Sequence, residues 1–293
     1  GRSVKEVALE NMPQTVHAHD AVLPAATLVI KLGYRGAAFS GFAEQPKQRT
    51  VAGDLKQALT TVLRRPVELT CAGRTDAGVS ALAQYVSVPV DVCEAKIPKR
   101  QLLRSLTALT DDDISIQEIY KAQPGFSARF DALARSYRYR ISAGLKPVLA
   151  WDHAWWYNGA LDVAAMNEAA QIFVGEHDFK SFCKALSAVD KPTHRYVESI
   201  QVAEVQEAGE KLIAIDIVGN AFLHTMVRTM VGTLVEVGRG HRATNWTREV
   251  LLACDRKKAG PTAPAKGLVF TGVSYPDGAL SSWPETEDFQ KSM

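Results

Sequence analysis

The chain has 293 residues, of which 46% are hydrophobic, so it can bury the core of one large domain or of two closely associated halves. Its net charge of +2 is too small by itself to indicate a nucleic-acid-binding protein. The four cysteines have no Cys-x-x-Cys spacing, and the longest apolar run, residues 21–30, is about half as long as a membrane-spanning helix. We therefore expect a cytoplasmic protein without a disulfide framework, a zinc site or a membrane anchor.

The first part of the chain predicts a tail, a strand, a loop and a helix. Residues 1–24 show no sustained periodicity and predict a flexible tail. Alternating apolar residues over 28–32 predict a strand, and the stretch over 33–50, rich in glycine and small residues, predicts a long loop. Apolar residues at helical spacing over 55–62 predict a helix that Pro66 ends.

The rest of the first half predicts two strands around a loop, then a helix and a strand. Alternation over 67–71 predicts a strand that runs directly into the loop, and alternation over 84–90 predicts the strand that follows it. Periodicity then predicts a helix over 99–108 and a strand over 114–120. Strands and helices are thus mixed along this half.

The second half repeats this mixture. The pattern predicts strands over 133–142, 197–205, 212–218 and 267–275, and helices over 163–174 and 221–237. Because helices do not separate every pair of strands, the pattern favours an α+β fold with a largely antiparallel sheet. We expect an N-terminal half over 25–135, a C-terminal half over 136–280 and a C-terminal tail over 281–293.

The loop after the second predicted strand reads Cys-Ala-Gly-Arg-Thr-Asp-Ala-Gly over residues 71–78. An aspartate in a glycine-flanked turn usually bonds only to its own backbone, so Asp76 can be a turn former. The two glycines, however, allow a close approach of the backbone to another group, and Arg74 places a cation beside the carboxylate. A carboxylate near a cation stays ionised, as a nucleophile requires, so Asp76 is also a candidate nucleophile.

Residues 135–140 read Arg-Ser-Tyr-Arg-Tyr-Arg and lie in a predicted strand. Tyr137 and Tyr139 share one face of this strand, and Arg138 and Arg140 share the other. Two interpretations are equally supported. The strand is either half-buried with a solvated basic face, or it is part of a nucleic-acid surface on which an aromatic ring stacks on a base and arginines contact phosphates.

The predicted helix over 221–237 carries an apolar stripe that we assign to the core. Its members are Met226, Val227, Met230, Val231 and Leu234. His224, Arg228 and Gly232 are spaced four residues apart on a different face, and Asn220 is placed to cap the start of the helix. Arg228 either reaches solvent past its apolar neighbours or is buried and paired with a carboxylate from elsewhere in the chain.

Five short motifs, in this order, resemble the tRNA pseudouridine synthase A family between residues 27 and 276. They are Gly-Arg-Thr-Asp-Ala-Gly at 73–78, Phe-Ser-Ala-Arg-Phe at 126–130, Tyr-Arg-Tyr at 137–139, Met-Val-Arg at 226–228 and Gly-Pro-Thr-Ala-Pro at 260–264. One such motif alone is a weak signal, but their joint order and spacing point to this one family.

The resemblance implies a pseudouridine synthase fold, in which two pseudo-symmetric α/β halves build one mostly antiparallel sheet with a cleft between them. It also implies a homodimer that binds tRNA and uses no metal or organic cofactor. The implied reaction converts uridine to pseudouridine on the 3′ side of the anticodon stem-loop, at tRNA positions 38–40. In this reaction the uracil is detached from the ribose, rotated and rejoined through carbon 5.

The resemblance also assigns roles to five residues. Asp76 matches the catalytic aspartate, and Arg228 matches the basic residue that forms an ion pair with it. Tyr137 matches the tyrosine that stacks on the target base. Arg74 matches an arginine that assists the flipped-out nucleotide, and Leu268 matches an apolar residue that lines the pocket.

Five positions depart from the family's usual pattern. Arg35 stands where an acidic residue is frequent, Phe42 and Ala43 stand where tryptophan and glutamine are frequent, and Ser80 replaces a frequent histidine. His224 also lies where another residue is common. The loop that carries the first three is expected to contact RNA, so these departures concern substrate preference and leave the proposed chemistry intact.

Two other functions remain open. A non-catalytic RNA-binding or RNA-folding protein on the same scaffold would be recognised by loss of Asp76 or of its supporting pair. This chain retains Asp76, Tyr137 and Arg228, which counts against that alternative. An N-glycosidase would cleave the same bond but release free uracil.

Overall fold

The computed structural model describes residues 23–285, and within this range eleven strands form a single sheet. The predicted N-terminal tail lies outside the described residues, except for Leu23 and Pro24. No helix in the described range is long and apolar enough to cross a membrane.

In the first half, strands alternate with two helices. In chain order the elements are β1 (Ala26–Tyr34), α1 (Val51–Leu63), β2 (Thr70–Cys71), β3 (Ser80–Val90), α2 (Lys99–Leu109) and β4 (Ile114–Ala122). The side chain of Thr50 begins α1 by accepting a hydrogen bond from Gly53 N. β1 lies between β3 and β4 and is antiparallel to both, while β2 pairs with β3.

The second half is longer and ends with two strands. Its elements are β5 (Ala134–Ala143), β6 (Trp155–Tyr157), α3 (Val163–Ala170), β7 (Gly175–Asp178), β8 (His194–Glu207), β9 (Glu210–Gly219), α4 (Met226–Gly238), α5 (Trp246–Ala253), β10 (Leu268–Ser274) and β11 (Ser281–Ser282). β5 lies between β9 and β10 and is antiparallel to both, while β8 pairs with β9 as the predicted hairpin.

The two halves therefore repeat one strand arrangement. In each, the central strand (β1 or β5) is antiparallel to both neighbours. The halves differ in the next strand, because β2 pairs with β3 at the junction whereas β8 pairs with β9 on the side away from it. The halves meet where β10 runs parallel to β3, with Val269 opposite Ser80 and Phe270 opposite Ala81. The predicted fold class, α+β with a mostly antiparallel sheet, is confirmed.

One face of the sheet forms a continuous apolar core with the helices. Alternate residues of β1, β3, β5 and β9 belong to the same buried cluster as the apolar residues of all five helices, including the predicted stripe of α4. The alternation predicted for β5 is present, because Tyr139 and Ile141 are fully buried while Arg138 and Arg140 are partly exposed. The core thus lies between the helices and one face of the sheet.

The start of α4 differs from the prediction. The helix begins at Met226, five residues later than expected, and Asn220 does not cap it. The Asn220 side chain instead accepts hydrogen bonds from Tyr196 N and Ala221 N, so it joins β8 to the end of β9. The segment before α4 is therefore an extended loop, which places its side chains differently from those of a helix.

Other differences concern element ends and short elements. α1 ends at Leu63, before Pro66, because Arg64 adopts a left-handed conformation with φ of 56°. Of the strand predicted over 67–71, only β2 is formed. β6 and β7 were not predicted, since so few residues carry too little alternation to be recognised, and the eight-residue helix α5 was missed as well.

Part of the predicted C-terminal tail is folded. β11 pairs with β4, and Trp283 is 1% exposed and donates a hydrogen bond to the Ile97 carbonyl at 2.7 Å. Residues 281–285 therefore pack against the first half, and residues 286–293 lie outside the described range. The predicted boundary between the halves, after residue 135, falls inside β5.

Candidate active site

A cavity of about 860 Å³ is lined by both halves of the sheet. Its wall includes all five residues to which the resemblance assigns a role: Arg74, Asp76, Tyr137, Arg228 and Leu268. The parallel pairing of β10 with β3 explains this meeting, because the first residue of β10 comes to lie beside the loop that leads into β3. The structure thus brings the five together, while their roles in the reaction stay predictions.

The loop that carries Asp76 is fixed by polar groups of the first half. Tyr34 Oη lies 2.7 Å from Thr75 Oγ1, and Gln84 Nε2 donates to the Gly73 carbonyl at 2.6 Å. Burial raises the pKa of Tyr34, so its hydroxyl stays protonated over the ordinary pH range. The backbone on the N-terminal side of Asp76 is therefore held in one position.

Asp76 also closes its own turn. Val79 N donates to the Asp76 carbonyl at 3.0 Å, and Gly78 has a φ of +85°, a conformation that favours glycine. A Cβ at Gly78 would lie 3.3 Å from the side chain of Ala265 in the loop before β10. The backbone of Asp76 makes the turn while its carboxylate lines the cavity, so both interpretations of this residue are compatible.

Arg228 contacts Asp76 across the junction of the halves. Its Nη1 lies 3.2 Å from Asp76 Oδ2, and its Nε donates to the Ala263 carbonyl at 2.8 Å. The exposed fractions of the two side chains are 19% for Arg228 and 28% for Asp76, so the ion pair is partly buried. Of the two interpretations of Arg228, burial with a carboxylate partner is correct.

The Gly-Pro-Thr-Ala-Pro segment at 260–264 holds Arg228 in place. Ala263 N donates to the Arg228 carbonyl at 3.0 Å, so two hydrogen bonds join these two residues. One turn further along α4, a Cβ on Gly232 would lie 1.6 Å from the Pro261 carbonyl oxygen. Only glycine permits this approach, which accounts for the spacing of Arg228 and Gly232.

His224 makes a second contact with the Asp76 carboxylate. Its Nε2 lies 3.1 Å from Asp76 Oδ1, the oxygen that Arg228 leaves free. Its other ring nitrogen, Nδ1, lies 3.3 Å from Ser187 Oγ. Each carboxylate oxygen of Asp76 therefore has one side-chain partner.

Tyr137 lies on the apolar side of the cavity. Its side chain is 8% exposed, and its ring meets Phe222 and Phe270 edge-to-face at centroid distances of 5.1 and 5.0 Å. Burial raises the pKa of Tyr137, and its hydroxyl makes no hydrogen bond within the described part of the chain. Phe222 and Phe270 therefore hold the ring of Tyr137 in position, whereas no group of the described chain holds its hydroxyl.

Arg135, two residues before Tyr137 on the same face of β5, has no role in the sequence prediction. Its guanidinium donates to the carbonyls of Ala72 at 2.6 Å, Asn220 at 2.6 Å and Arg129 at 2.8 Å. The first carbonyl precedes the aspartate loop and the second lies in the segment before α4, so one side chain joins both. Burial lowers the pKa of Arg135, which has no carboxylate partner among residues 23–285.

Three further arginines of the cavity wall make no ion pair within residues 23–285: Arg74, Arg129 and Arg195. The Arg129 guanidinium lies 5.0 Å from the centre of the Phe130 ring. Arg195 Nε is buried without a hydrogen-bond partner. Because no carboxylate compensates these cations, the cavity has the positive character that a nucleic-acid backbone requires.

The opposite face of β5 differs. Arg138 donates to Asp216 at 2.7 Å and to Glu207 at 2.8 Å, and Arg140 donates to Glu207 at 2.6 Å. Neither interpretation of residues 135–140 is therefore complete. The tyrosine lines a cavity, as the second interpretation expects, but the two arginines on the other face already have carboxylate partners.

The positions that depart from the family pattern lie in different places. Phe42 and Ala43 line the cavity, whereas Arg35 is 74% exposed and lies outside its wall. Ser80 Oγ accepts a hydrogen bond from Gly36 N at 2.9 Å and thus supports the loop after β1. Phe42, Ala43 and the fifth such position, His224, are therefore placed to contact a molecule in the cavity.

Across the described range, no three His, Cys, Asp or Glu side chains come together in a group that could hold a metal ion.

Known proteins match most of this chain in sequence. Residues 169–276 match the family model described as tRNA pseudouridine synthase. The tRNA pseudouridine synthase A of Francisella tularensis subsp. novicida is 38% identical over 251 residues, which cover 85% of this chain and 94% of that protein. The protein of the same name from Chloroflexus aurantiacus is 40% identical over 260 residues, 88% of this chain and 92% of that protein. The chain belongs to the tRNA pseudouridine synthase A family. The resemblance predicted from five motifs is therefore confirmed.

Among solved structures, a Cbf5-Nop10-Gar1 complex matches 83% of this chain and 58% of the other, with 12% identity and a TM-score of 0.31. A match with so low a TM-score supports no conclusion about fold or function. Membership of the tRNA pseudouridine synthase A family rests on the sequence relatives, and the fold class rests on the sheet described above.

Some residues of the site could have been found from the sequence and others could not. His224 lies four residues before Arg228, which is a helical spacing, but it precedes the first residue of α4, so this spacing does not explain its position beside Asp76. Arg135 lies two residues before Tyr137 in a predicted strand, so the same alternation places it on the cavity face. Phe222 gave no such signal, because it lies in the loop that replaces the first turns predicted for α4.

Proposed function

We propose that this protein converts uridine to pseudouridine in tRNA and that Asp76 is the carboxylate that reacts, as the nucleophile. The observation that carries the proposal is the ion pair of Asp76 with Arg228, 3.2 Å apart in the wall of the cavity between the halves. The relatives named tRNA pseudouridine synthase A support the same substrate and reaction.

Asp76 is the carboxylate best suited to this role among those of the cavity wall. Glu44 and Glu68 also line the cavity, but each lies near Lys56, at 3.7 and 3.6 Å, and their side chains are 49% and 94% exposed. Asp76 is less exposed and contacts a guanidinium that is itself fixed by backbone. A nearby cation stabilises the ionised form of a carboxylate, which is the form that a nucleophile requires.

The target base has to leave its stack to reach Asp76. Flipping a nucleotide out of a duplex costs a few kcal/mol, and stacking on an aromatic ring returns about 1–3 kcal/mol. Tyr137 supplies such a ring, and Leu268, which is 6% exposed, adds an apolar neighbour in the same wall. Arg74, which has no carboxylate partner in the described chain, is available to the displaced nucleotide.

The chemistry needs no other reactant. The bond between ribose carbon 1′ and uracil nitrogen 1 breaks, the uracil rotates, carbon 1′ bonds to uracil carbon 5, and that carbon loses its proton while nitrogen 1 gains one. Substrate and product are isomers, so atoms and charge balance. Asp76 serves this sequence as an attacking carboxylate, whose bond to the substrate forms before the uracil rotates and breaks again before the product leaves, and the cavity wall keeps the detached base beside the ribose.

Family membership supports three finer proposals about the function. We propose that the modified uridines lie on the 3′ side of the anticodon stem-loop, that two copies form a homodimer, and that the protein works in the cytoplasm. The cavity arginines without carboxylate partners support an RNA substrate.

The proposal is tested by incubating the protein with unmodified tRNA transcripts, without added metal or cofactor, and mapping pseudouridine at single-nucleotide resolution. The matched variants are Asp76→Asn and Asp152→Asn, which alters an exposed aspartate outside the cavity wall. We expect modification in the anticodon stem-loop, no modification by Asp76→Asn, retained tRNA binding by that variant, and normal activity of Asp152→Asn.

Three outcomes would contradict the proposal. Binding of tRNA without any modification would indicate an RNA-binding protein on the same scaffold. Release of free uracil would indicate an N-glycosidase. Turnover by Asp76→Asn would remove the aspartate from its assigned role.

A further inference from the structure

We propose that His224 is a positioning residue for the Asp76 carboxylate and that Ser187 selects the ring tautomer with which it acts. The inference rests on the proposed function, because it concerns the same carboxylate. It adds a residue that the family resemblance does not assign and that stands where another residue is common in the family.

The hydrogen atoms of this contact can be assigned by chemistry. An ionised carboxylate only accepts hydrogen bonds, so His224 Nε2, 3.1 Å from Asp76 Oδ1, has to carry a proton. In a neutral imidazole Nδ1 is then an acceptor, and Ser187 Oγ, 3.3 Å away, is placed to donate to it. Ser187 can therefore donate a hydrogen bond to His224, and His224 can donate one to Asp76, so every group in this series has a matching donor or acceptor.

Two donors constrain the carboxylate more than one donor can. Arg228 contacts Oδ2 alone, and no other side chain in residues 23–285 bonds to the Asp76 carboxylate. With a donor on Oδ2 only, a single contact opposes rotation of the carboxylate about the bond between Cβ and Cγ, so the carboxylate plane keeps some freedom. A donor on Oδ1 removes that freedom, and orientation of a reacting group is a large part of what an enzyme contributes to rate.

The residue after His224 has a strained backbone conformation. Thr225 has a φ of 63°, a left-handed conformation that is uncommon outside glycine. It lies between His224 and Met226, the first residue of α4, and Met226 N donates to the Leu223 carbonyl at 3.1 Å. Such strain persists where the surrounding structure requires it and is concentrated at functional sites.

His224 is not a core histidine. Its side chain is 45% exposed at the cavity wall, so its contact with Asp76 is not a consequence of burial. The chain also offers a matched histidine, His241, just beyond α4, which is 56% exposed and contacts Glu236 at 3.5 Å. Both histidines contact a carboxylate, but only the first contacts the carboxylate of the proposed site.

The kinetic test compares His224→Leu, His224→Gln and Ser187→Ala with the native chain and with His241→Leu as the control. Single-turnover rate constants at saturating tRNA and the tRNA dissociation constant are measured separately. We expect His224→Leu to lower the rate constant about 10- to 100-fold, as for loss of a hydrogen bond to a charged group. Glutamine keeps an N–H donor, so His224→Gln should recover most of the rate.

The same variants separate positioning from binding and folding. The dissociation constant of His224→Leu should stay within about threefold of the native value, because orientation of Asp76 affects the reaction step. Ser187→Ala should slow the reaction less than His224→Leu, and His241→Leu should leave it unchanged. A loss that appears only in tRNA affinity would overturn the inference.

A nitrogen-15 NMR measurement of the histidine rings tests the contact without RNA. We expect the His224 ring to be protonated at Nε2 when neutral and its signals to shift in Asp76→Asn. A ring protonated mainly at Nδ1, or a His224→Leu variant that reacts as fast as the native chain, would overturn this inference alone. A native chain that forms no pseudouridine would overturn the proposed function and this inference with it, so the two failures are distinguishable.

Discussion

The two faces of β5 carry arginines in contrasting environments. On the cavity face, Arg135 donates to three backbone carbonyls, and burial lowers its pKa. On the opposite face, Arg138 donates to Asp216 and Glu207, and the hydrogen bond to Asp216 raises its pKa. The same strand thus carries arginines with carboxylate partners on one face and an arginine without such a partner on the other. Successive side chains of a strand point to opposite faces, which is what separates them.

This difference shows where the positive charge of the molecule is available. The whole chain has a net charge of only +2, because most basic residues are matched by acidic ones. In the cavity wall, four arginines have no carboxylate partner among the described residues: Arg74, Arg129, Arg135 and Arg195. A nearly neutral protein can therefore present a strongly basic cavity to a polyanion.

The largest effect on the reaction rate is expected for Arg228, the arginine of the cavity wall that is paired with a carboxylate. Arg228→Met should lower the single-turnover rate of pseudouridine formation about 100-fold, because Asp76 loses the charged donor that orients its carboxylate. Arg140→Met removes an ion pair on the other face and should change the rate less than about threefold. Equal losses in the two variants would mean that the rate reports folding and not the site.

The next effect concerns the ring on the cavity face of β5. Tyr137→Leu should lower the rate about 10- to 100-fold, because the stacking surface for the base is lost. Tyr137→Phe should stay within about threefold of the native rate, since the hydroxyl makes no hydrogen bond in the described chain. The measurement is again a single-turnover rate, and equal losses would assign the function to the hydroxyl instead of the ring.

A smaller effect on stability distinguishes the two kinds of arginine. Arg135→Met removes the donor from one buried carbonyl, that of Ala72, and from two carbonyls in part-buried hydrogen bonds, and should lower the free energy of unfolding by about 2–3 kcal/mol. Arg138→Met removes a partly exposed pair and should lower it by about 1 kcal/mol or less. Urea unfolding followed by circular dichroism measures both, and a larger loss for Arg138→Met would contradict the comparison.

The smallest effect is on the salt dependence of tRNA binding. Replacement of Arg74, Arg129 or Arg195 by alanine should each reduce the slope of log affinity against log salt concentration by about 1, as for loss of one phosphate contact. Replacement of Arg138 or Arg140 by alanine should leave the slope unchanged, because these charges are already neutralised. A reduced slope in the second group would show that RNA reaches both faces.

The sequence predicted those parts of the fold that depend on periodicity. β5 alternates over ten residues and α4 carries an apolar stripe, so both could be recognised and their faces assigned. The start of α4 could not be predicted, because Asn220 bonds to Tyr196, a residue of β8 that is distant in the chain. Interactions of this kind depend on tertiary contacts that local patterns do not contain.

The residues of the candidate site also fall into those that the sequence could predict and those that it could not. The motif around Asp76 identified the carboxylate, and the motif around Arg228 identified its partner. The three carbonyls that bind Arg135 come from three separate segments of the chain. No spacing in the sequence predicts that these segments come together. The sequence therefore predicted which candidate residues meet in the cavity wall better than it predicted the residues that hold them there.

The position of β10 has a consequence for how the molecule is made. This strand lies between β3 and β5, although it follows both in the chain, and the pair it helps to align, Asp76 and Arg228, is separated by 152 residues. A growing polypeptide that has not yet added β10 would have two partial sheets with unpaired edges facing each other. Contacts so distant in sequence close long loops, and folds that depend on such contacts form slowly. Activity is then among the last properties that a newly synthesised chain acquires, so that RNA meets a site that can react only once the whole sheet is closed.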